Sequence, residues 1–304
     1  MTQNVSSPAV LPPVRGAISP GSAGAMLLLA LMWGLTIPAT KLGLVTMPPL
    51  TLTALRFAIA VPFLMLLLIG RKRLPWKAVP AVAMLGIVGI GIGQVAQTFG
   101  VTGTSASAGT IISATIPVFV VIFAALRLKQ AISRVQRLGV AAAFVGIVVV
   151  ALGNAEAGVF ETTIGGPLWM LASALAVAFY YVWSVELTER YGTVVVAAWS
   201  TVFGFAAVLP WAAWEASHTP FEITAQAVGA AAYLGLIASV AGLFLWLKIL
   251  RDVSAGVAAS VQFLQPVFGI VASALIFGDS IGPLFVIGVA LILAGLALTI
   301  RVRG

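Results

Sequence analysis

Amide side chains occur in pairs inside two long apolar stretches of this chain. Gln94 and Gln97 are three positions apart, and Gln262 and Gln265 repeat that spacing near the other end of the sequence. Side chains three or four positions apart share one face of a helix, so each pair would present two amides in one direction. Polar groups are costly inside a membrane, and we therefore predict that these amides form hydrogen bonds to a small polar ligand.

A proline and a serine extend this pattern of polar groups. Gln265 directly precedes Pro266, and a proline within a helix leaves the carbonyl four positions earlier without its usual hydrogen bond. A carbonyl freed in this way is available to a ligand. Ser113 lies at the position that matches Gln262 when the two halves of the sequence are aligned. The alternative for all these polar groups is hydrogen bonding between helices without a ligand.

Aromatic side chains lie in the same kind of stretch. Trp33 and Thr36 are three positions apart, and Tyr180 and Trp183 repeat that spacing. Trp246 stands in the second half at the position that matches the second glutamine of the first pair. These residues predict the wall of a binding site. Tryptophan is also enriched at membrane–water interfaces, and that alternative stays open for Trp33 and Trp183.

Two basic side chains lie near the ends of the apolar stretches. Lys41 and Arg56 could pair with an anionic group of a ligand, such as the carboxylate of an amino acid, or act in gating. Long basic side chains also extend from the apolar layer to the lipid headgroups. We prefer this second interpretation for Arg56 and, less strongly, for Lys41.

The composition requires these residues to lie in membrane-spanning helices. Of the 304 residues, 61% are hydrophobic and 8% are charged, against roughly 25% charged in a soluble domain. A helix needs about 20 apolar residues to cross a bilayer. Ten spans are predicted, at 24–45, 51–69, 78–98, 106–126, 135–152, 166–186, 193–213, 226–247, 257–277 and 282–300. Frequent glycine and alanine favour packed helices over a β-barrel.

A stretch of 43 residues occurs twice in the sequence. Residues 105–147 align with residues 254–296 without a gap, at an offset of 149 and with 12 identities. Self-similarity at a long period indicates a duplicated unit. We therefore predict a first five-helix unit at 24–152 and a second at 166–300. The polar residues 1–23, rich in Pro, Ser and Gly, are predicted to be a disordered tail.

The charge distribution predicts the orientation of the chain. With the N-terminus in the cytoplasm, 14 of the 16 basic residues fall in cytoplasmic segments, where such residues are enriched. Acidic residues such as Glu215 and Asp279 fall on the opposite side. Both termini are therefore expected in the cytoplasm. The net charge of +8 reflects this topology and predicts no binding of nucleic acid, because the charges are dispersed among short connections.

An odd number of helices per unit gives the two units opposite orientations. Inverted-topology repeats are typical of alternating-access transporters, in which the two units exchange conformations and expose a central site to one side and then the other. We therefore expect an all-α integral membrane carrier. The alternative is a duplicated membrane protein without a transport function.

Several short motifs occur in a fixed order, and the later ones occur in both units. They are Trp33-Gly34, the run Ala-Leu-Arg-Phe at 54–57, Ser-Ala before Pro117 and again before Pro266, and the later Gly139 and Gly288. Together they resemble the drug/metabolite transporter superfamily, specifically its EamA family of ten-helix exporters, over residues 24–300. The resemblance implies a central cavity lined by spans 1, 3, 4, 6, 8 and 9. Family members usually have Glu after spans 4 and 9, where this chain has Gln130 and Asp279.

The resemblance also implies what the protein carries. It indicates export of small polar metabolites, amino acids above all, across the inner membrane of a bacterial cell. The alternative is a uniporter or exchanger of nucleosides, sugars or lipophilic cations. The expected partners are a small-molecule substrate and the lipid bilayer, and the expected oligomeric state is a monomer or homodimer.

The chain lacks the residues that an intramembrane enzyme, a metal site or a buried proton-carrying carboxylate would need. The chain has no cysteine, and its one histidine, His218, falls in a predicted loop, so neither an intramembrane enzyme nor a metal or other cofactor is predicted. No Asp or Glu lies near the middle of a predicted span, so proton coupling through a buried carboxylate is not expected. Gly139, Gly146 and Gly153 form a smooth stripe at a spacing of seven, suited to helix packing or to a dimer.

Overall fold

The computed structural model describes residues 19–128, 133–156, 165–253, 261–279 and 281–300. Every regular element within these ranges is helical. Three predicted features lie outside them: most of the tail, at 1–18, Gln130, and the second Ser-Ala motif at 254–255.

The helices follow one another with short connections. In the first half they are α1 (Pro20–Gly34), α2 (Thr36–Gly43), α3 (Pro49–Leu66), α4 (Val79–Met84), α5 (Gly93–Thr102), α6 (Ala106–Ser113), α7 (Ile116–Leu128) and α8 (Arg134–Glu156). In the second half they are α9 (Gly165–Tyr191), α10 (Thr193–His218), α11 (Ala225–Ala232), α12 (Gly242–Asp252), α13 (Val261–Phe277) and α14 (Pro283–Ile300). A first π-helical segment (Leu85–Ile92) joins α4 to α5, and a second (Tyr233–Ala241) joins α11 to α12.

Some consecutive helices follow each other end to end and form one longer helical segment. We call each long segment of this kind, or each single long helix, a rod. Within the described ranges, seven rods are long and apolar enough to span a bilayer: Pro20–Gly43, Pro49–Leu66, Trp76–Thr102, Ala106–Arg127, Gly165–Tyr191, Thr193–His218 and Ala225–Asp252. Three further helices, α8, α13 and α14, lie where the sequence predicts spans 5, 9 and 10. The chain is therefore a multi-helix membrane protein.

The first rod begins earlier than the sequence predicts. Residues 20–23 belong to α1 rather than to a disordered tail. The Ser19 side chain accepts a hydrogen bond from the Ser22 backbone N–H at 3.1 Å, and Pro20 occupies the first turn. A serine cap followed by proline is a favourable helix start, which explains the difference.

Prolines interrupt two rods near mid-membrane. α1 ends at Gly34, four positions before Pro38, and α6 ends at Ser113, four positions before Pro117. Proline cannot donate to the carbonyl four residues earlier, so the Gly34 and Ser113 carbonyls lose their helical partners. Each rod therefore continues as a second helix after the break, from Thr36 in the first case and from Ile116 in the second.

The two π-helical segments are a feature that apolar periodicity did not predict. They occupy corresponding places in the third and eighth rods, and each contains glycine, including Gly86, Gly89 and Gly235. A π-helical turn inserts an extra residue and shifts the faces of the helix that follows. Such segments are frequent at functional sites.

The glycines of the first π-helical segment permit close packing, as the sequence predicts. A Cβ on Gly86 would lie 2.2 Å from the Ser200 carbonyl oxygen of α10. A Cβ on Gly89 would lie 2.5 Å from Cβ of Tyr180 in α9. Any side chain at these positions would push the rods apart, which is why small residues favour helix association in membranes.

The glycine stripe of α8 is covered by α14. A Cβ on Gly146 would lie 2.8 Å from the Gly288 carbonyl oxygen, and a Cβ on Gly295 would lie 2.5 Å from the Gly139 carbonyl oxygen. At both places the two backbones are in contact. Of the two roles predicted for this stripe, the structure shows helix packing within the chain.

The rods expose opposite charges at their two ends. We call one end the basic end; it carries Arg71, Lys77, Arg127, Arg190, Lys248 and Arg251. We call the other the acidic end; it carries Glu215, Glu222 and Asp279 together with Lys41. Hydrogen bonds from the Thr51 N–H to Oε2 of Glu215 and from the Ser107 N–H to Asp279 connect elements at the acidic end.

Candidate functional site: a central cavity

A central cavity of about 300 Å³ lies between the rods. Its described lining comes from α1, α2, α3, both π-helical segments, α5, α6, α7, α9, α10, α12 and α13. α8 and α14, which pack on each other, contribute none of it. The resemblance implies a lining from spans 1, 3, 4, 6, 8 and 9. The structure shows a lining from all of these spans and also from α3 and α10, which are spans 2 and 7.

Most of the predicted binding residues converge on this cavity. Of the ten, eight line it: Trp33, Thr36, Gln94, Gln97, Ser113, Tyr180, Trp246 and Gln265. They come from six rods spread over more than 230 residues of sequence, so only the tertiary structure brings them together. Pro266 and Gly34 also line the cavity, next to the backbone that Pro38 leaves unpaired.

Two predicted residues take other positions. Trp183 is absent from the described lining: its ring stacks on Phe179 with 4.6 Å between centroids, and the Arg127 guanidinium lies 5.4 Å from the indole centroid. Lys41 donates a hydrogen bond of 2.7 Å to the Thr104 carbonyl, at the acidic end. Gln262 lies in α13, and its side chain is outside the described part of the structure.

Arg56 lies in the cavity wall rather than at the lipid headgroups. Only 9% of its surface is exposed, and one Nη donates a hydrogen bond to Oε1 of Gln94. The other Nη donates to Oγ of Ser239 at 3.3 Å. The sequence preference for a headgroup-directed Arg56 is therefore not supported, because the side chain turns inward to meet these polar groups.

The charge of Arg56 has no acidic partner among the described residues. The ion pair recorded there joins Arg127 to Glu186 instead. No Asp or Glu belongs to the described lining of the cavity. Nε of Arg56 is buried and lacks a hydrogen-bond partner. Burying a guanidinium without a counter-ion is costly, so the site favours a ligand that brings a negative charge.

The second π-helical segment positions polar groups for this site. Ser239 donates a hydrogen bond of 2.8 Å to the Leu234 carbonyl, five residues earlier, and also accepts from Arg56. The neighbouring Ala238 carbonyl accepts a hydrogen bond of 3.0 Å from Nε1 of Trp33. The altered register of a π helix thus supplies an acceptor for Trp33 from a rod that is distant in sequence.

Glycine allows the Trp33 indole to reach that carbonyl. A Cβ on Gly242 would lie 2.6 Å from Nε1 of Trp33. The ring of Trp33 also contacts that of Trp246, with 5.8 Å between centroids and an interplanar angle of 42°. The two tryptophans form one aromatic wall of the cavity.

Some polar residues of the same rods serve packing instead. Thr98 shares the predicted face of Gln94, but its hydroxyl is buried and lies 2.9 Å from that of Thr53. The alternative of hydrogen bonding between helices therefore holds at Thr98. The amides of Gln94 and Gln97, in contrast, line the cavity.

Comparison with known proteins agrees with this architecture. The model of the EamA-like transporter family matches the chain twice, at residues 22–152 and 164–301. The chain belongs to the EamA-like transporter family. The transporter is 25% identical over 271 residues to an uncharacterized transporter of Archaeoglobus fulgidus, covering 89% of this chain and 95% of that protein.

Two other relatives of the transporter have names that describe export. A probable terminal-alkyne amino-acid exporter of Streptantibioticus cattleyicolor is 27% identical, covering 91% of this chain and 92% of the relative. A probable amino-acid metabolite efflux pump of Salmonella typhimurium is 26% identical, covering 91% and 95%. A crystal structure with 21% identity superposes with a TM-score of 0.63 over 91% of this chain and 96% of its own, which shows the shared fold.

The lining of the transporter's cavity extends toward both ends of the rods. Leu64 and Ala197 line it toward the basic end, and Ile37 and Thr110 line it toward the acidic end. Hydrogen bonds connect elements at the acidic end: the Thr46 and Thr224 hydroxyls lie 2.9 Å apart, and Nε2 of Gln226 donates to the Leu42 carbonyl at 3.0 Å.

Asp279 makes another contact at the acidic end. Its Oδ2 accepts a hydrogen bond of 2.8 Å from the Ser107 N–H, in the first turn of α6. A carboxylate at a helix N-terminus satisfies an unpaired N–H and interacts favourably with the helix dipole. The residue that replaces the family's usual Glu after span 9 therefore acts as a cap on a helix of the first half.

Several lining residues of the transporter are not among those predicted from the sequence. They are Phe57, Thr110, Tyr181, Thr201 and Ser239. Thr110 lies three positions before Ser113, and this spacing could have revealed it. Ser239 could not be found from α-helical periodicity, because the π-helical segment changes which side chains face the cavity.

Proposed function

We propose that this protein exports a small polar solute carrying a carboxylate, an amino acid or close metabolite, by alternating access. The observation that carries the proposal is Arg56, a buried cation in the cavity wall with no acidic partner among the described residues. A guanidinium binds a carboxylate through two parallel hydrogen bonds. Gln94 and Ser239 already orient two of its nitrogens.

The rest of the proposed site suits the remainder of an amino acid. Gln97, Gln265 and Ser113 offer neutral donors and acceptors, and Trp33 with Trp246 offers an aromatic wall for an apolar side chain. The names of two relatives mention amino acids and point in the same direction. Lipophilic cations, one alternative, would meet the charge of Arg56 and are therefore disfavoured.

Alternating access rests on the proposed inverted repeat of two five-helix units, 24–152 and 166–300. Helix starts recur at the offset of 149 found in the sequence: Gly93 of α5 matches Gly242 of α12, and Arg134 of α8 matches Pro283 of α14. The family model matches each half separately, which supports the same division. In such a carrier the two units exchange conformations around a central site.

The orientation follows from charge. Basic residues concentrate at one end of the rods, and cytoplasmic segments of membrane proteins carry such residues in excess. We therefore propose that the basic end and both termini face the cytoplasm of a bacterial cell, in the inner membrane.

Transport assays with purified protein in proteoliposomes would test this proposal. We expect labelled amino acids to exchange across the vesicle membrane. Unlabelled amino acids should inhibit this exchange, whereas the corresponding amines, which lack the carboxylate, should not. Arg56→Gln should reduce exchange at least tenfold. Arg56→Lys should be intermediate, because an ammonium keeps the charge but lacks the planar pair of donors.

A matched control separates this effect from a general change in charge. Arg73→Gln removes one exposed cation at the basic end and should leave exchange unchanged. The carboxylate proposal fails if amines compete as well as amino acids, or if Arg56→Gln transports normally. Uptake of nucleosides, sugars or lipophilic cations in place of amino acids would favour the alternative class of uniporter or exchanger.

A further inference from the structure

A second cavity, of about 820 Å³, lies at the basic end of the protein. Three basic side chains, Arg71, Lys248 and Arg251, line it, and its described lining contains no acidic residue. None of the three belongs to an ion pair recorded in the described ranges. Three cations around one hollow repel each other unless an anion or water screens them.

This cavity is distinct from the central one. Phe244, Lys248 and Arg251 line it from α12 and recur at the spacing of one helix face. Trp246, which lines the central cavity, is two positions from both Phe244 and Lys248. At about 100° per residue, it lies roughly 200° around the helix from each. The two cavities have no lining residue in common, and these three side chains point away from Trp246.

The apolar part of the second cavity is open to the surroundings of the protein. Leu28 and Phe244 line it and are 50% and 47% exposed. In a membrane protein an exposed apolar side chain at the level of the spans meets lipid. Phe244 lies about 6 Å and 10 Å deeper along α12 than Lys248 and Arg251, at about 1.5 Å per residue. The cations thus lie at the surface and the apolar wall lies beneath them.

The start of α10 adds to the positive potential. Thr193 and Val194 line the cavity, and the residue before them, Gly192, has φ +88° and no side chain to cap the helix. The first backbone N–H groups of a helix have no intrahelical partner, and they attract anions such as phosphate. Three side-chain cations and a helix N-terminus therefore converge on one hollow.

We propose that this cavity binds the phosphate of an acidic phospholipid, with an acyl chain against Leu28 and Phe244. A phosphate satisfies the three cations, and an acyl chain covers the two half-exposed apolar side chains. Basic pockets between membrane helices are known to bind acidic headgroups. The site holds the ends of α3, α10 and α12 together, and it does not depend on which solute the central cavity carries.

The test measures lipid binding to the full-length protein purified in detergent. Phosphatidylglycerol, phosphatidylcholine or inorganic phosphate is added, and bound lipid is counted by native mass spectrometry alongside the melting temperature. We expect retained phosphatidylglycerol and a raised melting temperature with that lipid alone. The variant Arg71→Gln/Lys248→Gln/Arg251→Gln should bind it about 100-fold more weakly, given the contribution of each basic residue near anionic lipid.

The control variant loses the same charge elsewhere at the basic end. Lys77→Gln/Arg134→Gln/Arg137→Gln changes exposed residues that lie outside this cavity and should bind phosphatidylglycerol like the wild type. If the triple cavity variant is not stably folded, Lys248→Gln alone should show a weakening of about fivefold to tenfold.

Three results would overturn the proposal. They are equal retention of phosphatidylcholine, unchanged phosphatidylglycerol binding in the cavity variant, and stabilisation by inorganic phosphate as large as that by the lipid. The last result would identify a site for a soluble anion instead.

Discussion

The ligand preference that we propose for the central cavity depends on single side chains. Arg56 brings a positive charge into a wall that is otherwise neutral in the described residues, and Gln94 holds one of its nitrogens. Hydrogen bonds to a charged group contribute more than neutral ones, about 1.5–3 kcal/mol each. Gln94 is therefore a positioning residue for Arg56 as well as a candidate ligand contact.

Replacing Gln94 should separate these two roles. Gln94→Glu would place a permanent carboxylate beside Arg56 and compete with the carboxylate of the substrate. We expect the KM for amino-acid exchange to rise at least tenfold, whereas Gln94→Leu, which removes the orienting contact but adds no competing charge, should raise KM less.

The maximal rate should change less than KM in both variants, because the affected step is binding. Exchange kinetics in proteoliposomes give both quantities. A normal KM in Gln94→Glu would show that Arg56 does not bind the substrate.

Packing of whole helices depends on glycines at backbone contacts. α8 and α14 lie outside the cavity and touch at Gly146 and Gly288, where no Cβ fits without displacement. Overpacking a close contact typically costs about 1–3 kcal/mol. These two helices pack mainly on each other, outside the cavity.

Adding one methyl group to this contact should destabilise the protein. Gly146→Ala would place its Cβ 2.7 Å from the Ile292 side chain and 2.8 Å from a backbone carbonyl. We expect the free energy of unfolding to fall by about 1–3 kcal/mol, seen as a lower melting temperature in detergent.

The matched control for that change is Gly229→Ala in α11. It adds the same methyl group to a helix at a position where no atom lies within 4 Å. Because alanine favours a helix over glycine by roughly 0.5–1 kcal/mol, this variant should be unchanged or slightly more stable. Equal melting temperatures for the two variants would contradict the proposed backbone contact.

The whole molecule has two ends with opposite charge, and the two proposed units must cross the membrane in opposite directions. Arg73 and Glu222 are 149 positions apart, both are exposed, and each precedes a rod that begins at the matching position, Trp76 or Ala225. In an inverted repeat, equivalent residues lie on opposite faces of the membrane.

Cysteine labelling can test this arrangement, because the natural chain contains no cysteine. We expect an impermeant thiol reagent applied to intact cells to label Glu222→Cys but not Arg73→Cys. After the cells are opened, both should react. Labelling of both variants, or of neither, in intact cells would contradict the inverted topology.

The sequence by itself determined the membrane class, the helix positions and the family, because a bilayer imposes long apolar segments and the duplicated motifs recur in order. It also selected eight lining residues, since polar and aromatic groups inside apolar helices are few. The tertiary structure decided where Arg56 points, and it separated Trp183 from the site through aromatic packing. It also revealed Ser239 as a lining residue of the cavity. A π-helical turn changes the helix register, and α-helical periodicity in the sequence does not predict that change.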